Sequence, residues 1–165
     1  MEPDNTDTHH WHVEAVLEKW DAEEDHLAGA PPNEVVREDG NLLLNEGITA
    51  LLNLLIGASE TAFNNSNSYI GIGDSTTAAA AGQTGLQASS NKTYKAMESS
   101  FPSISGQTVS FKSIFASGDA NFVWNEWTVA SGNSDSSDNL NRKVAALGTK
   151  VSGSSWTLTV SITVS

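Results

Sequence analysis

Alternation of apolar and polar residues is strongest at the end of the chain, where Trp156, Leu158, Val160, Ile162 and Val164 are interleaved with threonine and serine. Residues two apart share one face of a strand, so this run predicts a strand with one buried face. Thr108–Phe115 repeats the pattern, with Val109, Phe111, Ser113 and Phe115 in one phase. Between Asn121 and Val129 the phase changes: Phe122 and Trp124 share one, Trp127 and Val129 the other. A one-residue slip of this kind is what a β-bulge near Asn125–Glu126 would produce. Tyr69–Gly73 predicts a further short strand whose glycines let a neighbouring backbone come close.

The stretch from Asn41 to Ile56 has a different period. Leu44, Ile48, Leu51, Leu52 and Leu55 fall at i, i+4, i+7, i+8 and i+11, the apolar stripe of a helix. Asn41 is placed to cap its start and Gly57 to end it in a left-handed conformation. Leu43, Leu54 and Ile56 widen the stripe, which predicts burial on more than one side.

Residues 1–40 do not declare a conformation. Trp11, Val13, Ala15 and Leu17 alternate as a strand would, while Val13, Val16, Leu17 and Trp20 also fit helical spacing. The run AEEDHLAGAPPNE then interrupts any regular structure, because Pro31 and Pro32 fix φ and lack an N–H. Charge changes the picture here. Of the net −12, residues 1–40 carry −10 (twelve acids against Lys19 and Arg37), leaving −2 for residues 41–165. So acidic a segment has little apolar surface with which to fold alone. The expectation is an extended acidic arm over 1–40, ordered only on a partner, attached to a β-rich domain over 41–165 that begins with the helix 41–56. The arm's candidate anchors are Trp11, Val13, Val16, Leu17, Trp20, Val35 and Val36, apolar side chains that are costly to leave in water.

Short strands separated by Gly, Ser, Asn and Asp loops, with one helix before them, predict a mainly β (α+β) fold: a compact β-sandwich or open barrel with the helix packed on it. At 38% apolar residues, the core has to be concentrated in part of the chain. No internal repeat is visible, and the loop Ala130–Asn139 reads as low-complexity and mobile. The chain holds no cysteine, which removes disulfides, thiolate zinc sites and cysteine nucleophiles. Its first residues lack the basic and apolar regions of a signal peptide, and Leu42–Ile56 is too short and too polar to span a bilayer. An acidic chain is repelled by phosphate backbones and anionic lipid, so neither nucleic acid nor a membrane is an expected partner, and a basic protein surface is.

Candidate chemistry is sparse. His9, His10 and His12 are close in sequence, but no carboxylate is fixed beside them for a metal. Gly71–Thr77 resembles a phosphate loop only superficially, lacking the Gly-Lys-Ser/Thr ending. Glu126, flanked by Trp124 and Trp127, has the surroundings of a glycosidase acid. That mechanism needs a second carboxylate facing it, and Asp119, Glu98 and Asp74 are unmarked candidates. All four histidines lie in residues 1–40, away from any expected serine nucleophile. Asp135 and Asp138 lack the spacing of a calcium loop. The expectation is a non-enzymatic chain without metal or cofactor.

Four stretches carry a resemblance: NLLLNEGITALLNLLIG, YIGIGDSTTAAAAGQTGLQA, SGQTVSFKSIFASGDANFVWNEWTV and LNRKVAALGTKVSGSSWTLTVSITV. Over about three quarters of its length the chain resembles small structural proteins of tailed-bacteriophage particles. The shared features are a Gly-x-Gly strand, a Ser/Thr/Ala-rich loop ending near a leucine, and a later aromatic strand. The resemblance implies a capsid decoration, or cement, protein on the outer face of the major capsid protein lattice. It would form a homo-oligomer, commonly a trimer, whose N-terminal arm reaches over neighbouring subunits. It would reside in the virion and, during assembly, in the host cytoplasm. The same module also occurs in tail and fibre proteins, which implies as an alternative a tail component with a receptor- or glycan-binding role.

Overall fold

A computed structural model describes residues 10–165. In it, two five-stranded antiparallel sheets face each other in a sandwich-like fold. One sheet has the order β2-β1-β10-β7-β6 and the other β3-β9-β8-β4-β5. The strands of the first are β1 (Trp11–Trp20), β2 (Glu34–Asp39), β6 (Ser103–Ser105), β7 (Thr108–Phe115) and β10 (Ser155–Val164). Those of the second are β3 (Leu42–Leu43), β4 (Tyr69–Gly73), β5 (Lys92–Ala96), β8 (Val123–Ala130) and β9 (Asn141–Thr149). Two helices, α1 (Glu23–Leu27) and α2 (Asn45–Leu55), complete the elements. The expected fold class holds.

The first forty residues depart from expectation. β1 is not an arm but an inner strand, paired along its whole length with β10 and on its other side with β2. Its alternation places Val13, Ala15 and Leu17 opposite Ile162, Val160 and Leu158, all of them buried in one core with Phe111, Trp124 and Trp156. Helical spacing loses because a strand here satisfies its backbone from both sides and sends every second side chain into the sandwich. The acidic residues do not oppose this, since Glu14 and Glu18 occupy the outward phase between the buried positions. The proline-containing connection is held too. The Trp20 indole N–H donates to the Ala30 carbonyl at 2.8 Å, His26 stacks on the Trp20 ring at 4.3 Å, and the Asn33 amide donates back to Lys19 O at 2.8 Å. The boundary expected at residue 40 therefore does not divide the core. Residues 1–9, the polar start of the expected arm with His9, lie outside the described residues.

The strand expectations for β4, β7 and β10 hold, and the phase change in β8 is a real irregularity. Its register against β9 shifts between Trp124 and Glu126, so that Trp124 and Trp127 both reach the core. The helix is shorter than its period suggested. Asn41 does not cap it; Leu42 and Leu43 instead pair with Arg142 and Asn141 as β3, and Leu44 is the N-cap residue. Gly57 ends it at φ +70°, as expected. Gly47 faces the backbone of Leu140 so closely that a Cβ would overlap it, which lets α2 sit directly on the β8–β9 connection.

Because β1 is an inner strand paired along its whole length with the central strand β10, deleting residues 1–40 is expected to abolish the cooperative unfolding transition rather than release a folded domain. Leu17→Ala is expected to cost about 2–5 kcal/mol as a buried Leu→Ala change. Urea denaturation followed by tryptophan fluorescence measures both; a truncated chain that still unfolds cooperatively would contradict the pairing described here.

Candidate functional site

The feature turned toward solvent that stands out is apolar. Helix α2 packs Gly47 and Ala50 inward. Its neighbouring stripe, Ile48, Leu52, Leu55 and Ile56, is 40, 58, 80 and 79% exposed. Beside this ridge runs a groove of about 360 Å³ between α2 and one end of the first sheet. Leu51 and Leu54 line it from the helix, Trp11 and Val109 from the sheet, and Ile104 and Val164 stand at 79 and 45% exposure along it. The widened stripe of the sequence is thus only half used. Burial on more than one side was expected, yet within one chain the outer side is left in water. A ridge and groove of this size exceed the scattered apolar residues of an ordinary surface.

The polar constellations, in contrast, are engaged internally. Glu126 and Arg142 have fully buried side chains and form an ion pair. Arg142 Nε donates to Glu126 Oε2 at 2.7 Å, and Nη2 lies 2.6 Å from the same oxygen without hydrogen-bond alignment. The remaining acceptor capacity of Glu126 takes backbone amides: Ala88 N to Oε1 at 2.7 Å, and Gln87 N to both oxygens at 3.0–3.1 Å. Arg142 Nη1 donates to Gln83 Oε1 at 3.0 Å. Gly73 lies where any Cβ would collide with the Glu126 carboxylate. Four positions between Gly73 and Ala88 thus converge on a pair contributed by β8 and β9. The glycosidase reading of Glu126 has no room for a sugar at this carboxylate. Two of the possible second carboxylates are engaged elsewhere: Asp119 accepts from Lys95 at 2.6 Å and Asp74 from Asn91 at 2.8 Å.

A second cluster holds the loop expected to be mobile. Asp135 is paired with Lys92, accepts from the Tyr94 hydroxyl at 2.6 Å and from the Leu86 amide at 3.2 Å. Burial, with the Asp135 carboxylate beside it, pushes the Tyr94 hydroxyl well above the usual tyrosine range, so it stays a donor. Burial also raises Asp138, whose carboxyl shares a hydrogen bond with Glu60, and raises Glu46, which accepts from the Asn139 amide. The loop is therefore tied to α2 and to β5. Among the described residues there is no group of three or more His, Asp or Glu side chains placed to hold a metal, and no helix long and apolar enough to cross a membrane.

The expected anchors are dispersed. Val13, Leu17 and Trp20 are 1, 1 and 6% exposed and belong to the core, where no partner reaches them. Val16 lies on the outward face of β1, half-buried, and Val36 is half-buried opposite Leu17. Val35 is exposed on the edge strand β2. Only Trp11 reaches the apolar groove. The signal for that face was present in the sequence as too many leucines for one side of a helix, but it was read as burial. Comparison with protein-family models, with curated proteins and with solved structures gives no match.

Glu126→Gln is expected to destabilise the fold by about 3–5 kcal/mol, because it leaves Arg142 buried without its counter-charge. Pairing it with Arg142→Met should recover a large part of that loss in chemical denaturation. A single substitution that leaves the urea midpoint unchanged would remove this pair from the structural role given to it. Asp138 makes a second, pH-dependent prediction. Its folded-state pKa is raised, so the folded chain binds the proton more tightly than the unfolded chain does. Its contribution becomes less favourable as pH rises from the ordinary carboxylate range through the folded-state value. Asp138→Asn is accordingly expected to flatten that part of the stability profile and to raise stability slightly at neutral pH, as read by thermal melts across pH.

Proposed function

We propose that this chain is a structural component of a tailed-phage particle, a capsid decoration or cement protein bound to the outer face of the major capsid protein lattice. What carries the reading on the structural side is the combination of an inward-locked polar network with an outward apolar face. Charged groups that chemistry would need are consumed in holding loops, whereas several leucine and isoleucine side chains are left without partners. That division suits a protein that docks rather than one that turns over substrate. The four stretches that resemble phage virion proteins support the same reading from the sequence.

Docking in this reading does not run through an N-terminal arm of residues 11–40. Its tryptophan anchor Trp20, with Val13 and Leu17, is spent on the chain's own core, so contact with the lattice falls to the surface of the folded body. The net charge of −12 favours a basic lattice surface and faster encounter with it. The alternative, a tail or fibre module that binds glycans through exposed tryptophans, loses its main support. Trp20, Trp124, Trp127 and Trp156 are buried and Trp11 is half-buried.

The measurement that tests the proposal is copy number in purified virions by quantitative mass spectrometry. A ratio near one to one with the major capsid protein is expected, together with binding of the purified chain to heads that weakens as salt rises. A few copies per particle would move the chain to the tail or a vertex, and its absence from virions would end the reading.

A further inference from the structure

Among the described residues three cationic side chains are buried, those of Lys19, Arg142 and Lys150. The first two meet carboxylates, Glu34 at 3.0 Å and Glu126 at 2.6 Å. Lys150, 1% exposed, has no carboxylate within ion-pair distance among the described residues. Its Nζ instead donates to three uncharged oxygens: the Ala116 carbonyl at 2.7 Å, the Ser154 carbonyl at 2.9 Å and the side-chain amide oxygen Oδ1 of Asn121 at 3.1 Å. An ammonium placed so gives up its hydration without a counter-charge in contact, which favours the neutral amine. We propose that Lys150 and Asn121 join in an intramolecular isopeptide bond, made by the folded chain on itself, that ties the end of β9 to the segment leading into β8.

A lysine becomes a nucleophile at ordinary pH when burial strips water from it. Burial holds the Lys150 amine below the usual lysine range, as that role requires. The electrophile is Cγ of Asn121, one bond beyond the oxygen already in contact. Both partners are held in place before any bond forms. The Lys150 backbone N–H donates to the Phe122 carbonyl at 3.1 Å, and the Asn121 Nδ2 donates to the Ser117 carbonyl at 2.9 Å. Ala120, which precedes Asn121, sits at φ +49° with its carbonyl accepting from the Trp124 indole at 2.9 Å. Such positioning replaces a chance encounter with a standing one. In the step, Nζ bonds to Cγ and the Cγ–Nδ2 bond breaks. One Nζ proton passes to Nδ2, and ammonia leaves, so neither an oxidant nor a co-reactant is needed. Asp119 and Glu23 are the carboxylates whose charge acts on Lys150, against Lys95 as the opposing cation. Asp119 accepts from the amide of Ala116, whose carbonyl holds the Lys150 Nζ, and Glu23 accepts from the adjacent Ser117 amide at 3.0 Å. These carboxylates are the groups at hand to relay the proton. Asn121 is exposed, so ammonia escapes to solvent and the bond stays formed. The product amide carries no charge, which removes the cost of an ammonium at a buried position.

Mass spectrometry of the purified full chain, its folding checked first by circular dichroism, reads the bond directly. The intact mass is expected to fall about 17 Da below that of the sequence, the ammonia lost. Trypsin should yield residues 113–142 joined to residues 144–165, with no cleavage after Lys150. Lys150→Arg keeps the positive charge but removes the amine, and Asn121→Ala removes the acceptor. Each variant should show its full sequence mass and release the two peptides separately. A folded wild-type chain of full mass would overturn the proposal, leaving Lys150 as an ammonium held by three neutral oxygens. A mass loss that persists in either variant would overturn it too, because the lost group would then come from elsewhere in the chain. None of these results depends on whether the chain is found in virions.

Discussion

The buried ion pair between Glu126 and Arg142 is the constraint on which the second sheet depends. Two charges without solvent are tolerated only when attraction and hydrogen bonds replace the lost hydration. Here the replacements come from a segment with no regular structure of its own, the connection between β4 and β5, through Gln83, Gln87 and Ala88. The pair therefore does two things at once: it joins β8 to β9 through side chains, and it fixes a connection of nearly twenty residues onto the sheet. The β8 irregularity supplies the geometry. By shifting register between Trp124 and Glu126, it lets Trp124 and Trp127 both enter the core while Glu126 meets Arg142.

The first sheet rests on a different balance. Its inner strand β1 lies within the acidic first forty residues, and its stability there comes from apolar alternation and from ladders on both edges. Average charge misleads in such a segment because a strand separates its two faces completely. Val13, Ala15 and Leu17 meet the core while Glu14 and Glu18 stay at the surface, and Arg37 on β2 pairs across to Glu14 at 2.8 Å. Lys19 is the exception that reaches inward. Its ammonium contacts Glu34 at 3.0 Å and lies 4.7 Å from the Trp156 ring centroid, closing the end of the sheet.

On the β8–β9 connection, α2 is anchored at Gly47, with Ala50 buried and Leu51 packed against the core. Its inner face is small, its outer face large and apolar, the reverse of what a surface helix needs in water. Interior demands and exterior function thus separate along a single helix, and the proposed docking role follows from the side that the chain's own elements leave uncovered.

Much of the architecture was legible from local pattern. The alternation of β7 and β10, the phase change in β8, the helical period before Gly57 and the mainly β class all follow from side-chain periodicity, a property of a few consecutive residues. Composition equally settled the absence of disulfide chemistry. What local pattern left open was decided by pairing across long sequence distances. Trp11–Trp20 fits strand and helix alike, and the presence of β10 and β2 on either side makes it a strand. Glu126 between tryptophans reads the same whether it faces a substrate or an arginine, and only the arrival of Arg142 and the Gln87–Ala88 amides assigns it. The helix stripe announces apolar surface but not what covers it, because burial depends on which other elements reach that face, and here they cover Gly47, Ala50 and part of Leu51 while Leu52, Leu55 and Ile56 stay exposed.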